Sequence, residues 1–432
     1  MFEEGLQVPI MKLFDKGEPN KVLFDMIRAN VRTPDETVGD LYAQTASNAV
    51  GARSLLQMMD EFGLETIDPL ADEIIARSEK ALRDAISKIP NGRYEHEVWS
   101  DGFEEPLLLK VAVIVRDDEI DIDFDGSSKQ SERGINVVLN YTKGYASFAV
   151  KAAISPEVPH NEGAFRPVNI TAPEGSILNC KRPAAVASRH LVGHFLPGVI
   201  LGALSQVIPD RVLAGGADPG WMSIWRATWP ETEKGANFTL FQLGGTGARP
   251  TKDGLNTTGF PSGVGGVPAE IVETQAPLVQ LQRALRPDSG GAGKFRGGLG
   301  QNTDFAHLGS ERWSISGMID RTLFEADGLM GGLSGALGEF KLNGETAPPK
   351  TVRWMEPDAT ISLNPPGGGG YGSPMERDPE MVLNDVVDGY VTVEAAAEKY
   401  GVVVKYTGAA DALVRMPSDY ELDAAGTDRL RS

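Results

Sequence analysis

The chain has 432 residues, a single cysteine and a formal net charge of -19. A field of that sign excludes nucleic acid and anionic membrane surfaces as general partners, so any anion must be captured locally. Cys180 alone cannot form an intrachain disulfide, the acidic start lacks signal-peptide order, and the apolar runs at 111–115 and 196–204 are too short to span a bilayer, which together suit a cytoplasmic protein.

The first ninety or so residues read as helical. Thr33-Pro34-Asp35-Glu36 offers a cap, a proline at the first helical position and an acid at the third, and Gly63 offers a stop. Val38, Leu41, Ala49, Ala52, Leu56 and Met59 form an apolar stripe between them, with Thr45 its polar member. A second helix starts at Asp68-Pro69 and ends near Ser87, before the turn Pro90-Asn91-Gly92. Strands follow at 94–99, 107–115 and 120–124, the second apolar enough to be central. Asp121, Asp123 and Asp125 share one face of an extended segment and read as an exposed acidic edge, because the closing glutamate of a calcium loop is missing.

A helix is expected at 140–154, a strand at 168–172 and a helix at 189–207, kinked where Pro197 removes a donor. Residues 211–300 are rich in glycine and proline, with a strand at 237–243. Short strands at 302–307, 313–319, 339–342 and 360–363 precede two closing helices, 378–388 and 392–400, stopped by Gly389 and Gly401. The expected fold class is α+β: a helical region over 1–92, a mixed, loop-rich sheet core over 93–406 with two C-terminal helices, and a frayed polar tail over 407–432.

Chemistry concentrates in the run from Arg286 to Gly300, where six glycines lie among arginine, aspartate, serine and lysine. Amides such as those of Gly290 and Gly291 can approach an anion closely, while Arg286 and Arg296 can bind phosphate or carboxylate in a bidentate manner. Asp288 can orient an arginine or take a proton, and Ser289 can donate a hydrogen bond. The run fits neither common nucleotide-loop spacing, so ATP binding by this loop is not expected. A surface turn is the competing reading. Asn161, Glu162 and Arg166 form a second constellation. His190 is the best general-base candidate by residue type. It stands four positions from His194, but Leu191 replaces the glutamate of a metalloprotease helix, and no metal ligand is assigned.

The 286–300 run closely resembles a signature of the hydantoinase B/5-oxoprolinase family. Other motifs follow in the family's order: Phe2-Glu3-Glu4-Gly5-Leu6, Asn30-Val31-Arg32-Thr33-Pro34, Asp125-Gly126-Ser127-Ser128, Asn161-Glu162-Gly163 with Arg166-Pro167, Ala172-Pro173-Glu174-Gly175-Ser176, Pro183-Ala184-Ala185-Val186 and Pro366 to Gly372. Cys180 departs from the proline usual after Leu-Asn. The resemblance implies a subunit of an ATP-dependent cyclic-amide hydrolase acting with a hydantoinase A-like, ATP-binding partner. ATP and a divalent metal would serve at the level of the complex, with neither assigned to this chain. Full-length relatives carry a His- and Asp-bearing, metal-linked segment ahead of the point matching Phe2. Its lack of a match here implies a truncated frame or a separate chain that supplies it. A subunit of an acetone- or acetophenone-type carboxylase and a non-catalytic assembly subunit are the alternatives. Segments 125–128, 161–166 and 286–300 are expected around one cleft, and Arg296, placed among glycines, is expected outside the core.

Overall fold

The computed structural model describes residues 8–31, 33–232, 235–409, 412 and 414–432. The motif at Phe2 to Leu6, and Arg32 within its own motif, lie outside the described residues. Contacts divide the chain into two units, 1–78 and 79–432.

The first unit carries a small hairpin, β1 (Phe14–Asp15) and β2 (Glu18–Pro19), then α1 (Lys21–Asn30) and α2 (Pro34–Glu61). Asn20 caps α1 by accepting from the Leu23 amide, and Pro34 opens α2 where its missing N–H is not needed. Leu23, Phe24, Ile27 and Val38 make its core. The predicted α2 stripe is buried only at Val38; Leu41 packs against that core, and Ala49, Ala52 and Leu56 are exposed. Helix α3 (Asp68–Ile86) begins here, and its last turns bring Leu82 and Ile86 to the core of the second unit.

In the second unit β3 (Gly92–Ser100), β4 (Leu107–Arg116), β5 (Glu119–Asp123) and β6 (Val168–Thr171) form one sheet in that order, with α4 (Leu139–Ile154) between β5 and β6 in sequence. β5 runs antiparallel to β4 and parallel to β6, so it is not an edge. Asp121 accepts from Arg116 and Asn169, and Asp123 from Thr171 and the Asp125 amide, which corrects the acidic-edge expectation. The short α5 (His190–Gly193) leads into the apolar α6 (Phe195–Leu204), which packs on β3, β4 and α4. The break falls at His194. Pro197 sits in the first turn of α6, where no intrahelical donor is lost.

β7 (Trp221–Thr228), β8 (Gly235–Gln242), α7 (Ala269–Gln275), β9 (Leu278–Leu285), β10 (Gln301–His307), β11 (Trp313–Met318), β12 (Glu339–Leu342), β13 (Glu345–Thr346), β14 (Val352–Met355) and β15 (Thr360–Asn364) follow. They build two sheets, ordered β14-β11-β7-β8 and β13-β12-β15-β10-β9. Trp221, Trp225 and Trp313 from the first sheet share a core with Phe305, Phe340 and Ile361 from the second. α8 (Pro379–Val387) and α9 (Val393–Tyr400) are capped by Asp378 and Thr392, and Gly401 closes α9 in the left-handed conformation. The end of the chain is not frayed: β16 (Val404–Tyr406) pairs with β17 (Tyr420–Leu422), and Asp423 caps α10 (Ala424–Arg431).

The fold is therefore α+β. Its glycine-rich segments stack backbone on backbone. The amides of Gly291, Gly297, Gly298, Gly368 and Gly369 donate to the carbonyls of Gly368, Gly291, Thr246, Gly298 and Gly215. A Cβ at Gly297 would lie 1.9 Å from the Gly368 oxygen, and one at Gly367 1.8 Å from that of Ser289. Only glycine permits this approach.

Candidate active site

The signature run is part of that stack and is buried along most of its length. Arg286 donates to the Leu337 carbonyl and to Glu339. Asp288, at a φ of 58°, accepts from the Thr392 amide, and Ser289 donates to the Arg286 carbonyl while accepting from the Gly300 amide. The expected anion cradle does not form from Gly291, because its amide is taken by Gly368, nor from Gly297, Gly298 and Gly300. Gly290 is held by its neighbours in the same stack: a Cβ there would lie 2.2 Å from the Gly297 oxygen.

Arg296 is 3% exposed, which corrects the expectation that it lies outside the core. Its amide donates to Asp253, its guanidinium donates to the Gly297 carbonyl and pairs with Asp385, and Tyr390 stacks beneath it. Arg377, 1% exposed, completes the cluster with a two-pronged contact to Asp253 at 2.8 Å and a further bond to Asp385. Burial works against the Asp253 carboxylate, but the hydrogen bonds and charges of Arg377 and Arg296 outweigh it and hold its pKa below the ordinary value. Burial pushes Asp385 the other way. These charges tie α8 to the glycine stack.

Asn161 caps a short turn by accepting from the Ala164 amide. Arg166 pairs with Glu162 and with Glu79 near the surface. This segment precedes β6, whereas 125–128 follows β5, and because the two strands run parallel the segments lie at opposite ends of the pair. Ser127 and Ser128 bond to the backbone of β4. The three segments therefore do not share a cleft.

A different set of residues converges. α4 turns Thr142, Ala146, Ala149 and Val150 inward and leaves Tyr141, Tyr145 and Phe148, spaced by four and three residues, half-buried along another face. These three, with Gly144, Pro261 and Ser262, line an open cavity of about 430 Å³. Tyr141 and Tyr145 stack with centroids 4.7 Å apart, and Phe148 lies 6.2 Å from Phe260. Gly193 sets how near α5 can come: a Cβ there would stand 2.2 Å from the Tyr141 ring. That approach brings His194 to 5.8 Å from Tyr145, and one turn of helix sets His190 5.7 Å from His194. Phe241, from β8, closes on His190 at 6.0 Å.

Ser262 also lines a smaller inner cavity of about 20 Å³, together with His194, Phe241, Thr246 and Asp218. Burial lowers both histidines to about 4, with Arg189 adding to the shift at His190 and His190 to that at His194. Both rings are neutral at pH 7, and His190 Nε2 and His194 Nδ1 have no protein partner. Burial raises Asp218 to about 7, against the opposing charge of Arg321. Flat aromatic walls, two neutral acceptors and a carboxyl that titrates near neutrality can hold a small uncharged ring and exchange protons with it.

Of the residues singled out in the sequence, His194 lines the inner cavity, and His190 stands behind it against His194 and Phe241 without lining either cavity. Tyr141, Tyr145 and Phe148 had a usable signal, since their spacing marks one helical face. Asp218 had none, being a lone acid in a glycine-proline run. Among the described residues no group of three His, Cys, Asp or Glu side chains could hold a metal ion. The amides of Gly291, Gly297, Gly298 and Gly300 are already bonded within the protein and are not free to meet a phosphate.

Fold and cavities together define an α+β protein with an aromatic-walled cleft. The chain belongs to the hydantoinase B/oxoprolinase family, whose model matches residues 1–374. It is 31% identical over 425 residues to the B-type component of a putative D-/L-hydantoinase from Pseudomonas sp. (strain NS671), covering 93% of this chain and 71% of that protein. The beta component of the caprolactamase of Pseudomonas jessenii is 28% identical over 435 residues, covering 95% and 74%. The crystal structure of the ATP-dependent caprolactamase from Pseudomonas jessenii superposes with a TM-score of 0.85 at 25% identity, covering all of this chain and 75% of that one. No helix among the described residues is long and apolar enough to cross a membrane.

Proposed function

We propose that this chain is the ring-binding subunit of an ATP-dependent cyclic-amide hydrolase that works in the cytoplasm with a hydantoinase A-like, ATP-binding partner. The observation that carries the reading is the aromatic cavity, joined at Ser262 to the small inner one lined by His194 and Asp218, in a chain whose relatives are named as hydantoinase and caprolactamase subunits. ATP on the partner would activate the amide. Tyr141, Tyr145 and Phe148 hold the ring's apolar face, His190 and His194 accept hydrogen bonds as neutral imidazoles, and Asp218 handles the proton. Asp288, Ser289, Arg286 and Arg296 are assigned to holding the glycine stack.

The test is ATP-dependent ring opening of caprolactam, hydantoin and 5-oxoproline by the chain assembled with its partner. Phe148→Ala should lower kcat/KM for the preferred ring by about ten- to a hundredfold, the loss of roughly 1.5–3 kcal/mol of apolar contact. An unchanged kcat/KM in that variant would remove the cleft from the reaction.

A further inference from the structure

Asp218 stands in the wall of two cavities. The inner end of the cleft is one; the other lies behind it, about 60 Å³ in volume, and reaches His96, Arg321 and Asp327. A water needs about 10–15 Å³ of such space and a few polar partners, so the rear cavity has room for several. Glycines keep it open. Gly198 and Gly202, on α6, and Gly215 and Gly216 line it without side chains. A Cβ at Gly202 would strike the His96 ring at 2.2 Å, and one at Gly216 would stand 2.7 Å from Asp218 Oδ2. The far end meets solvent, because His96 is half-buried and Asp327 is exposed.

We propose that Asp218 is a proton-transfer residue of the cleft, and that the rear cavity ending at His96 and Asp327 is the path by which its proton exchanges with solvent. The proposal rests on the cleft being the reaction site. Two observations favour it over a purely structural acid. Among the described residues Asp218 forms no salt bridge, and Arg321 spends its Nε and Nη1 hydrogens on the carbonyls of Asp218 and Glu325 rather than on the carboxylate. Asp101 and Asp320, two further acids near Arg321, are committed elsewhere: Asp101 to Thr322 and Leu323, Asp320 to Ser100 and Lys350. Burial lowers His96, while Asp327 and Glu97 pull it back, so its ring is an acceptor that can pass a proton on.

In the step served, the oxygen of an attacking water bonds to the activated acyl carbon and the C=O π pair moves onto the carbonyl oxygen. The water's O–H bond breaks with its pair left on oxygen, and the proton goes to Asp218. Rear-cavity water then takes that proton to His96 and out, one O–H or N–H bond forming for each that breaks.

Gly198→Val provides the test, since a Cβ at Gly198 meets nothing within 4 Å and the added methyls fill the rear cavity without entering the cleft. In the isolated chain, the infrared C=O band of the protonated carboxyl, absent from Asp218→Asn, should exchange in D₂O at least tenfold more slowly in Gly198→Val. In the assembled enzyme, with caprolactam, hydantoin and 5-oxoproline as probes, Gly198→Val should lower kcat about tenfold at unchanged KM and raise the solvent deuterium isotope effect. His96→Ala should show the same fall, with added imidazole restoring the rate, which covers the case in which the valine disturbs folding. Wild-type band exchange together with wild-type kcat in Gly198→Val, or a His96→Ala enzyme that is slow but indifferent to imidazole, would overturn the path. A cleft variant such as Phe148→Ala without effect, beside slowed band exchange, would instead sink the reaction site and leave the path standing.

Discussion

Arg377 shows how a buried charge works when it is paired. It is 1% exposed and bonds both oxygens of Asp253, one oxygen of Asp385 and the Lys294 carbonyl. Arg377→Ala should destabilise the chain by about 3–5 kcal/mol, because half-buried Asp253 loses its main counter-charge and buried Asp385 loses one of its two. Urea unfolding measures it, and a midpoint like that of the wild type would mean that Arg296 suffices. The histidines make the second prediction at this scale. His190 and His194 titrate near 4 when folded and near 6.5 when unfolded. Between those values the unfolded chain takes up protons that the folded one refuses, so this stability is complete above pH 6.5 and is lost as the pH falls towards 4. Asp218, with its raised pKa, acts in the opposite sense over the same range, so the comparison must be made between variants. His194→Asn should lose about 1–3 kcal/mol less than wild type between pH 7 and pH 4.5, as read by chemical unfolding at both values. Identical losses would mean that the ring is not held neutral. Sequence reasoning placed Arg296 at a reaction site because arginine among glycines resembles an anion trap. Spacing cannot reveal that Asp253 and Asp385 arrive from remote positions to bury it.

Among the elements, glycine has two opposite meanings in this chain. Gly297 faces a carbonyl 1.9 Å from where its Cβ would sit, whereas a Cβ on Gly51, within α2, meets nothing within 4 Å. Gly297→Ala should prevent stable folding or cost more than about 3 kcal/mol, since the obstructing atom is backbone and the stack has no slack. Gly51→Ala should stabilise by about 0.8–1 kcal/mol through helix propensity. Thermal midpoints of the pair decide it, and two similar values would refute the stacking account. Elements with local signals were legible: Pro34 opening α2, Asp378 and Thr392 capping α8 and α9, and Gly401 ending α9. β7, α7 and β9 were missed within the glycine- and proline-rich span. β7 alternates inward Trp221, Ser223 and Trp225 with outward positions, but Ser223 on the inward face and the flanking Pro219-Gly220 mask the pattern. β17 and α10 were read as tail because their polarity is high and their partner strand, β16, is only three residues long.

For the whole molecule, composition and order identified an α+β protein, and the family motifs ran in sequence. The site was not legible, because the cleft gathers side chains from α4, α5, β8 and two glycine loops whose meeting depends on long-range packing. The same packing differs sharply between the two units. Residues 1–78 bury Leu23, Phe24, Ile27 and Val38 in a small core, and α2 beyond Leu41 is exposed along nearly all its length. Residues 79–432 hold two large cores and a glycine stack whose amides are bonded across segments far apart in sequence. Opening a segment costs the contacts it breaks, so helices with little buried apolar surface open locally at low free energy, while a cross-linked stack opens only with its whole unit. Hydrogen exchange followed by mass spectrometry should therefore find the amides of 42–58 exchanging at least about a hundredfold faster than those of 291–298 and 367–370, a difference of roughly 2.7 kcal/mol in opening free energy. Peptides from α2 as protected as the glycine stack would show that another surface covers this helix in solution.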